Sequence, residues 1–375
     1  MITTTPSRAL PLPRAPRAYR CQCGRPVFFP NSKCLACGTP LGYVPERSLV
    51  LPLSPVAADR WREFGRDDGP VYRRCANFDA APGCNWLLPA GEGGQTLCRA
   101  CRLNRTIPDQ SDTDNQRLWH DTERAKRRLV SQLIALNLPV RSKVSEDPDR
   151  GLAFDLLKPL RGQPVMTGHA DGIITINVEE ADDATRERVR SAMHEPYRTL
   201  LGHFRHEVGH YYWMRLVETG PWLDDFRALF GDERRDYAEA LKTHYDQGPP
   251  ADWALHFVSA YAASHPWEDW AETWAHYLHL RDALDTAASF GLDPDQVALD
   301  LVPWGRDALW RVDAPQAEAF LASLNGWVAL SAALNELSRS MGLRDFYPFV
   351  LPRDAVAKLQ FVHCVVERAS GPTGT

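Results

Sequence analysis

The stretch His203-Phe204-Arg205-His206-Glu207-Val208-Gly209-His210 decides how this chain is read. On a helix, residues i and i+4 stand one above the other, so His206 and His210 can offer imidazole nitrogens to one zinc ion. Glu207 follows the first of them and falls beside the position that the ligands leave open. There it can take a proton from a water whose pKa the metal lowers and pass it to a leaving amine. The competing reading is a buried helix with two satisfied histidines. Gly209 weakens a helix interior and fits a place where another backbone or a ligand comes close. His203, one turn earlier, reads as a helix-face histidine.

A zinc site of this kind needs a third protein ligand. The run Tyr261-Ala262-Ala263-Ser264-His265-Pro266-Trp267-Glu268-Asp269-Trp270-Ala271-Glu272 sets two carboxylates at i and i+4 of a helix that starts after Pro266. Glu268, in the first turn, can reach the metal. Glu272, one turn on, can accept a hydrogen bond from a ligand histidine and fix its tautomer. The reverse assignment, with Glu272 on zinc, stays open. Asp269 points about 100° away and reads as a helix N-terminal charge. His276 and His279 read as packing or surface residues, and His265 is given no role.

These two motifs, HExxH and then YAxxxPxE with a further glutamate four residues on, resemble the gluzincin metallopeptidases, including the lethal-factor-like branch. The resemblance implies that Glu268 is the third zinc ligand. It also implies that Tyr261, seven residues earlier, lends its hydroxyl to the oxyanion formed at the scissile carbonyl. A plain core or surface tyrosine is the alternative for Tyr261. Over nearly its whole length the chain is similar to bacterial zinc-binding metallopeptidases that carry an N-terminal zinc ribbon.

Upstream, Gly168-His169-Ala170-Asp171-Gly172-Ile173-Ile174-Thr175-Ile176-Asn177-Val178 starts at a turn and runs into a β-branched strand. The strand Ile173 to Val178 is a candidate edge onto which an extended substrate could add by backbone hydrogen bonds; a purely structural strand is the other reading. Helical spacing is expected from Asp114 to Asn137, with Lys and Arg on the faces away from the apolar stripe. Asp182 to Met193 reads as a polar surface helix and Tyr197 to Val217 as a long buried one. Charged helices are expected at 224–247, a strong helical run at 252–290, and further helices at Ala314 to Met341 and Pro352 to Ala369.

Before residue 102 lie eight of the nine cysteines. Cys21-x-Cys23 and Cys34-x-x-Cys37 are each followed by glycine, as tight knuckle turns around a metal require. Four thiolates in two close pairs satisfy tetrahedral zinc with no open position, so this site is read as structural. Cys75, Cys84, Cys98 and Cys101 form a second set with a longer first gap, giving one or two structural zinc ions beside the catalytic one. Ligation of a small module contributes on the order of 10 kcal/mol to folding, enough to offset what reads as a poor apolar core. Cys364 reads as a small buried hydrophobe. Arg17, Arg20, Arg25, Lys33, Arg73, Arg74, Arg99, Arg102 and Arg105 give the module a positive bias, and Tyr19, Phe28, Phe29 and Trp86 offer rings for stacking or for a small core.

Composition sets the outer limits. The 375 residues, 44% hydrophobic and 24% charged with a net charge of -5, suit a globular protein and argue against one built mainly around nucleic acid. No stretch of about 18 uninterrupted apolar residues is present, so no membrane association is expected. Paired cysteines without a signal-peptide pattern point to the cytoplasm. The expected architecture is α+β: a disordered leader over 1–18, a zinc-ribbon module over 19–108 and a mostly helical zincin-like metallopeptidase domain with a small sheet over 109–375. The expected function is zinc-dependent hydrolysis of a peptide or related amide bond in a peptide or protein substrate, with Glu207 as general base. The alternative is a zinc-ribbon protein that binds nucleic acid or another protein, with the zincin domain as an inactive scaffold.

Overall fold

In the computed structural model, which describes residues 13–91, 94–160, 162–193 and 195–371, the chain is α+β, with short strands in its first half and helices in its second. β1 (Tyr19–Arg20) and β2 (Pro26–Val27) pair antiparallel. β3 (Leu41–Val44), β4 (Leu49–Ala57), β5 (Arg60–Glu63), β6 (Val71–Arg74) and β7 (Leu87–Pro89) then form a five-stranded antiparallel sheet in sequential order. β4 carries Pro52 and Pro55, which argue against a central strand, and Pro55 sits where the register shifts at a bulge.

The apolar core of this region is better than its composition promised. Val44, Leu51, Leu53, Tyr72 and Leu87 pack together, and Tyr43 meets Phe29 and Trp86 at ring-centroid distances of 4.8 and 4.9 Å. Of the leader expected over 1–18, residues 1–12 lie outside the described residues. The part that follows is packed: Ala15 and Arg17 are buried, and Arg17 donates to Ser131 Oγ at 3.0 Å.

β8 (Asn104–Thr106) follows shortly after Cys101 and joins a second sheet with β9 (Ala153–Leu157), β10 (Gly168–Ala170) and β11 (Ile173–Asn177), in the order β10-β11-β9-β8. β9 is parallel to both β8 and β11, and β10 is antiparallel to β11. Asp171 and Gly172 have φ of 45° and 75°, the two left-handed residues of a tight hairpin turn. β11 therefore has a neighbour on each side. The expectation that it forms a free edge for substrate is overturned; the edges are β10 and β8.

Between β8 and β9, α1 (Thr113–Ala135) starts at Asp112, whose side chain accepts from Asp114 N. Its basic residues are not all on solvent faces. Lys126 and Arg127 are buried, with Lys126 Nζ 2.6 Å from the buried Glu123 Oε1. α2 (Asp183–Ala192) has no buried residue, as a polar surface helix should.

The chain divides into two compact units, Arg14–Phe204 and one built on Arg205–Thr375. α3 (Leu200–Leu216) begins in the first and continues as the opening helix of the second. There follow α4 (Leu223–Phe230), α5 (Tyr237–Gln247), α6 (Trp253–His256), α7 (Pro266–Ser289), α8 (Ala317–Ser340) and α9 (Arg353–Ser370). The single helical run expected over 252–290 is broken. Pro266 forces His265 out of the helical region (φ -153°, ψ 148°), and His265 becomes the N-cap of α7, accepting from Trp267 N.

Within this unit α7 is the central helix, packed on α4, α8 and α9. Trp270 is fully buried among Phe226, Phe230 and Phe361, and the equally buried Trp274 lies between it and Tyr212. α3 crosses α7 at Gly209, where an added Cβ would lie 3.0 Å from Ala271 Cα and 3.2 Å from Trp274 Cβ. Trp270 Nε1–H donates to Gly209 O at 2.8 Å. The glycine thus lets the two backbones close up, and this contact sets the histidines of α3 against the first turn of α7. α8 is long and apolar enough to cross a bilayer, with a mean hydropathy of 1.3. However, 61% of that window is buried inside the protein, as in a core helix.

Candidate metal centres

His206, His210 and Glu268 each turn one donor atom into a common space, with all three atoms within 4.8 Å of one another. His206 Nε2 lies 3.0 Å from Glu268 Oε2, and His210 Nε2 lies 3.5 Å from Glu268 Oε1. The i, i+4 spacing on α3 supplies the two imidazoles. The N-cap at His265 fixes where α7 starts, and so places Glu268 in its first turn. Glu272 stands behind the site, with Oε1 2.7 Å from His206 Nδ1. Its other oxygen accepts from Ser259 Oγ at 2.6 Å, and Ser259 Oγ in turn accepts from Ala262 N at 3.1 Å.

The chemistry of this donor set fits a cation. Glu268 is buried, yet its Oε2 accepts no hydrogen bond from the described residues. An orphaned buried carboxylate oxygen beside two imidazoles is costly unless something positive satisfies it. Burial works against a charged imidazole, but the neighbouring Glu268 and Glu272 carboxylates outweigh it and hold His206 well above its ordinary value. Surroundings that favour a positive ring also suit a metal. Burial pushes the Glu207 carboxyl above its usual range, and the Glu268 charge adds to the rise.

Tyr261 opens a short 3-10 turn (Tyr261–Ala263) and lies near the site, with its ring centroid 6.0 Å from that of His206. Burial and the Glu268 charge hold its hydroxyl far above the usual value, so it stays protonated and able to donate. Tyr237, which has no motif around it, donates its hydroxyl to Glu268 Oε1 at 2.6 Å.

The other residues fall elsewhere. Asp269 is a buried ion-pair partner of Lys358, 2.7 Å away, and not simply a charge at the helix end. His276 Nδ1 meets Tyr347 Oη at 2.6 Å, and His279 Nδ1 meets Arg205 Nη1 at 2.7 Å, so both are internal packing residues. His203 Nδ1 lies 3.7 Å from Glu180 Oε2. His265 Nε2 meets Arg235 O at 3.2 Å. Cys364 is half-buried.

Both cysteine sets converge. Cys21, Cys23, Cys34 and Cys37 form one cluster and Cys75, Cys84, Cys98 and Cys101 another. The sulfur separations of 3.6 Å (Cys21–Cys37), 3.9 Å (Cys23–Cys34) and 3.7 Å (Cys84–Cys98) are far beyond a disulfide. They match the roughly 3.8 Å edge of a tetrahedron with Zn–S bonds of about 2.3 Å. Gly24 and Gly38 take φ of 83° and 76°, completing the knuckle turns that follow each pair. The first cluster leaves Cys23 and Cys37 exposed, whereas all four cysteines of the second are buried. Arg127, also buried, donates to Pro82 O at 3.0 Å. Burial disfavours its charge, but the Cys84 and Glu123 charges outweigh that and hold its pKa up, so Arg127 is a counter-charge to the second cluster.

Residues 115–365 match the model of a family described as "Putative zinc-binding metallo-peptidase", and residues 18–112 match a zinc-ribbon domain model. The chain is similar to uncharacterized proteins of Mycobacterium bovis and Mycobacterium tuberculosis. Each is 44% identical over 356 residues, covering 94% of this chain and 96% of the relative. No solved structure matches the chain.

Proposed function

The chain belongs to this zinc-binding metallo-peptidase family and carries an N-terminal zinc-ribbon domain, and on that footing we propose that it hydrolyses peptide or related amide bonds at a gluzincin-type zinc site. The observation that carries the reading is the convergence of His206, His210 and Glu268 on one space, with a buried Glu207 next to the first of them. In this reading Glu268, whose Oε2 accepts no hydrogen bond, is the third ligand and Glu272 the carboxylate that orients His206. Zinc held there would polarise the scissile carbonyl and lower the pKa of the attacking water.

The remaining steps belong to the protein's own groups. Glu272 accepts the Nδ1–H of His206 and leaves the Nε2 lone pair for the metal. Glu207 takes a proton from the water and returns it to the leaving amine, and its burial-raised pKa brings it nearer the neutral range where that exchange is efficient. Tyr261 donates its hydroxyl to the developing oxyanion. The two cysteine sets hold structural zinc and stabilise the ribbon. In this reading the peptidase domain spans 109–375 and the ribbon module 19–108, the substrate is a peptide or protein, and the thiol-rich ribbon suits a reducing cytoplasmic location.

The nucleic-acid reading draws less support. Arg17, Arg74, Arg102 and Arg105 are turned to internal partners, Ser131, Leu41 O, Glu146 and Asp155. Of the four rings considered for stacking, Tyr19, Phe29 and Trp86 are buried and only Phe28 is exposed. A peptide library incubated with the metal-free and then the zinc-reconstituted protein tests the proposal. Cleavage should vanish on chelation and return with zinc. Undiminished cleavage by protein shown by elemental analysis to lack metal would overturn it.

A further inference from the structure

Tyr237 is the group at the site that the reaction above does not use. It is the first residue of α5, a helix with no buried residue, capped by Asp236. Its hydroxyl donates to Glu268 Oε1 at 2.6 Å. Its ring stands edge-on to His265 and Trp267, at centroid distances of 5.2 and 5.8 Å, and Trp267 lies 4.2 Å from His210. The other oxygen of the same carboxylate, Oε2, is buried, accepts no hydrogen bond from the described residues and lies 3.0 Å from His206 Nε2.

The two oxygens of Glu268 are therefore not equivalent. Oε1 accepts from a phenol and lies 3.5 Å from His210 Nε2; Oε2 faces His206 and accepts no hydrogen bond from the described residues. A free carboxylate can bind a cation through one oxygen or both, and a donor fixed on one of them lowers that oxygen's donor strength and locks the rotamer. Nothing in the chain near Glu268 hints at this pairing, because the partners lie 31 residues apart.

We propose that Tyr237 is a positioning residue that holds Glu268 as a one-oxygen ligand and thereby sets the zinc affinity of the site. The inference rests on the reading of His206, His210 and Glu268 as a zinc site. It also ties α5 to the metal: a helix with no buried side chains is docked through the same carboxylate that the metal engages, so zinc binding and the docking of α5 stabilise each other.

The test compares wild type, Tyr237→Phe and Tyr245→Phe in the full-length protein. Tyr245 is on the same helix and 60% exposed, so it controls for a general effect on α5. Zinc affinity is measured by chelator competition. Visible absorption is recorded with cobalt at the histidine site and the cysteine sites kept in zinc. Tyr237→Phe should bind zinc about 10- to 100-fold more weakly. Its cobalt bands should also lose intensity, because a released Glu268 can chelate through both oxygens and raise the coordination number. Tyr245→Phe should match wild type.

Equal zinc affinity and equal cobalt spectra in Tyr237→Phe and wild type would overturn the proposal, as would equal losses in the two variants. Hydrogen exchange on wild type gives a readout that needs no variant: amides of α5 should exchange more slowly with zinc bound, and unchanged exchange would contradict the coupling. If wild type holds only the cysteine-bound zinc ions, and His206→Ala leaves its metal content unchanged, then the underlying zinc-site reading falls and this inference falls with it.

Discussion

Glu272 Oε1 stands 2.7 Å from His206 Nδ1, which leaves Nε2 as the nitrogen facing Glu268 and His210. The carboxylate is itself held by Ser259 Oγ at 2.6 Å, and Ser259 is tied to the turn that carries Tyr261 through Ala262 N. A chain of hydrogen bonds thus runs from a candidate ligand to the turn that presents the candidate oxyanion donor. Glu272→Ala should lower zinc affinity about 10- to 100-fold, and Ser259→Ala should lower it less. Chelator competition reads both. Unchanged affinity in Glu272→Ala would remove its role in orienting His206.

The crossing of α3 and α7 at Gly209 gives a stability prediction with a defined sign. In an open helix, Gly→Ala gains about 1 kcal/mol. Here the added Cβ would lie 3.0 Å from Ala271 Cα, a backbone atom that cannot rotate away. Overpacking of this kind costs about 1–3 kcal/mol, so after the propensity gain Gly209→Ala should be destabilising by up to about 2 kcal/mol net. Denaturant unfolding measures it, and a stabilised variant would show that the helices can part without cost.

Asp269 and Lys358 form a buried pair, with Lys358 also 4.3 Å from the Phe257 ring centroid. Lys358→Met strands a buried carboxyl and should cost about 3 kcal/mol at neutral pH. Asp269→Asn combined with Lys358→Met should cost less than the sum of the single changes. Burial pushes the Asp269 carboxyl up to about 6 in spite of the lysine. An acid held above its unfolded value favours folding while it is protonated. This group's contribution to stability is therefore fully present below about pH 4. It declines as pH rises through about 6, and in Lys358→Met the decline should be larger and extend to higher pH. A pH series of unfolding curves for the two proteins tests the sign.

The two cysteine clusters should part with metal at different rates. Cys23 and Cys37 are exposed, whereas Cys75, Cys84, Cys98 and Cys101 are all buried beside Arg127. A chelator should strip the first cluster quickly with the fold retained, and the second only as the unit unfolds. Metal release followed alongside far-ultraviolet circular dichroism should show two phases. Loss of both in one phase would contradict the difference in burial.

Much of the site was legible because its spacing is local. His206 and His210, or Glu268 and Glu272, are one helical turn apart, and Pro266 announces where α7 begins. The α+β architecture followed from the cysteines clustered before residue 102, the β-branched strand at Ile173 to Val178 and the helical spacing beyond. Tyr237, Ser259 and Lys358 were not legible, since each acts across a long sequence separation and sits in no periodic pattern. β4 was hidden by Pro52 and Pro55, which a bulge at Pro55 accommodates. β11 showed its strand character plainly, but whether it lies at an edge depends on β9 and β10, and no property of its own residues reports that. Asp269 looked like a helix-end charge because its lysine partner lies 89 residues away.

Whether Glu207 serves as general base beside a hydrolytic zinc is decided by Glu207→Gln. The amide keeps the size of the side chain and leaves His206, His210 and Glu268 in place, but it cannot take up a proton as a carboxylate does. The variant should hold zinc at the histidine site as wild type does and lose peptide-library cleavage by about 100-fold or more, the lower part of the range for general acid–base catalysis. A zinc-loaded Glu207→Gln protein that cleaves the library at the wild-type rate would contradict the account.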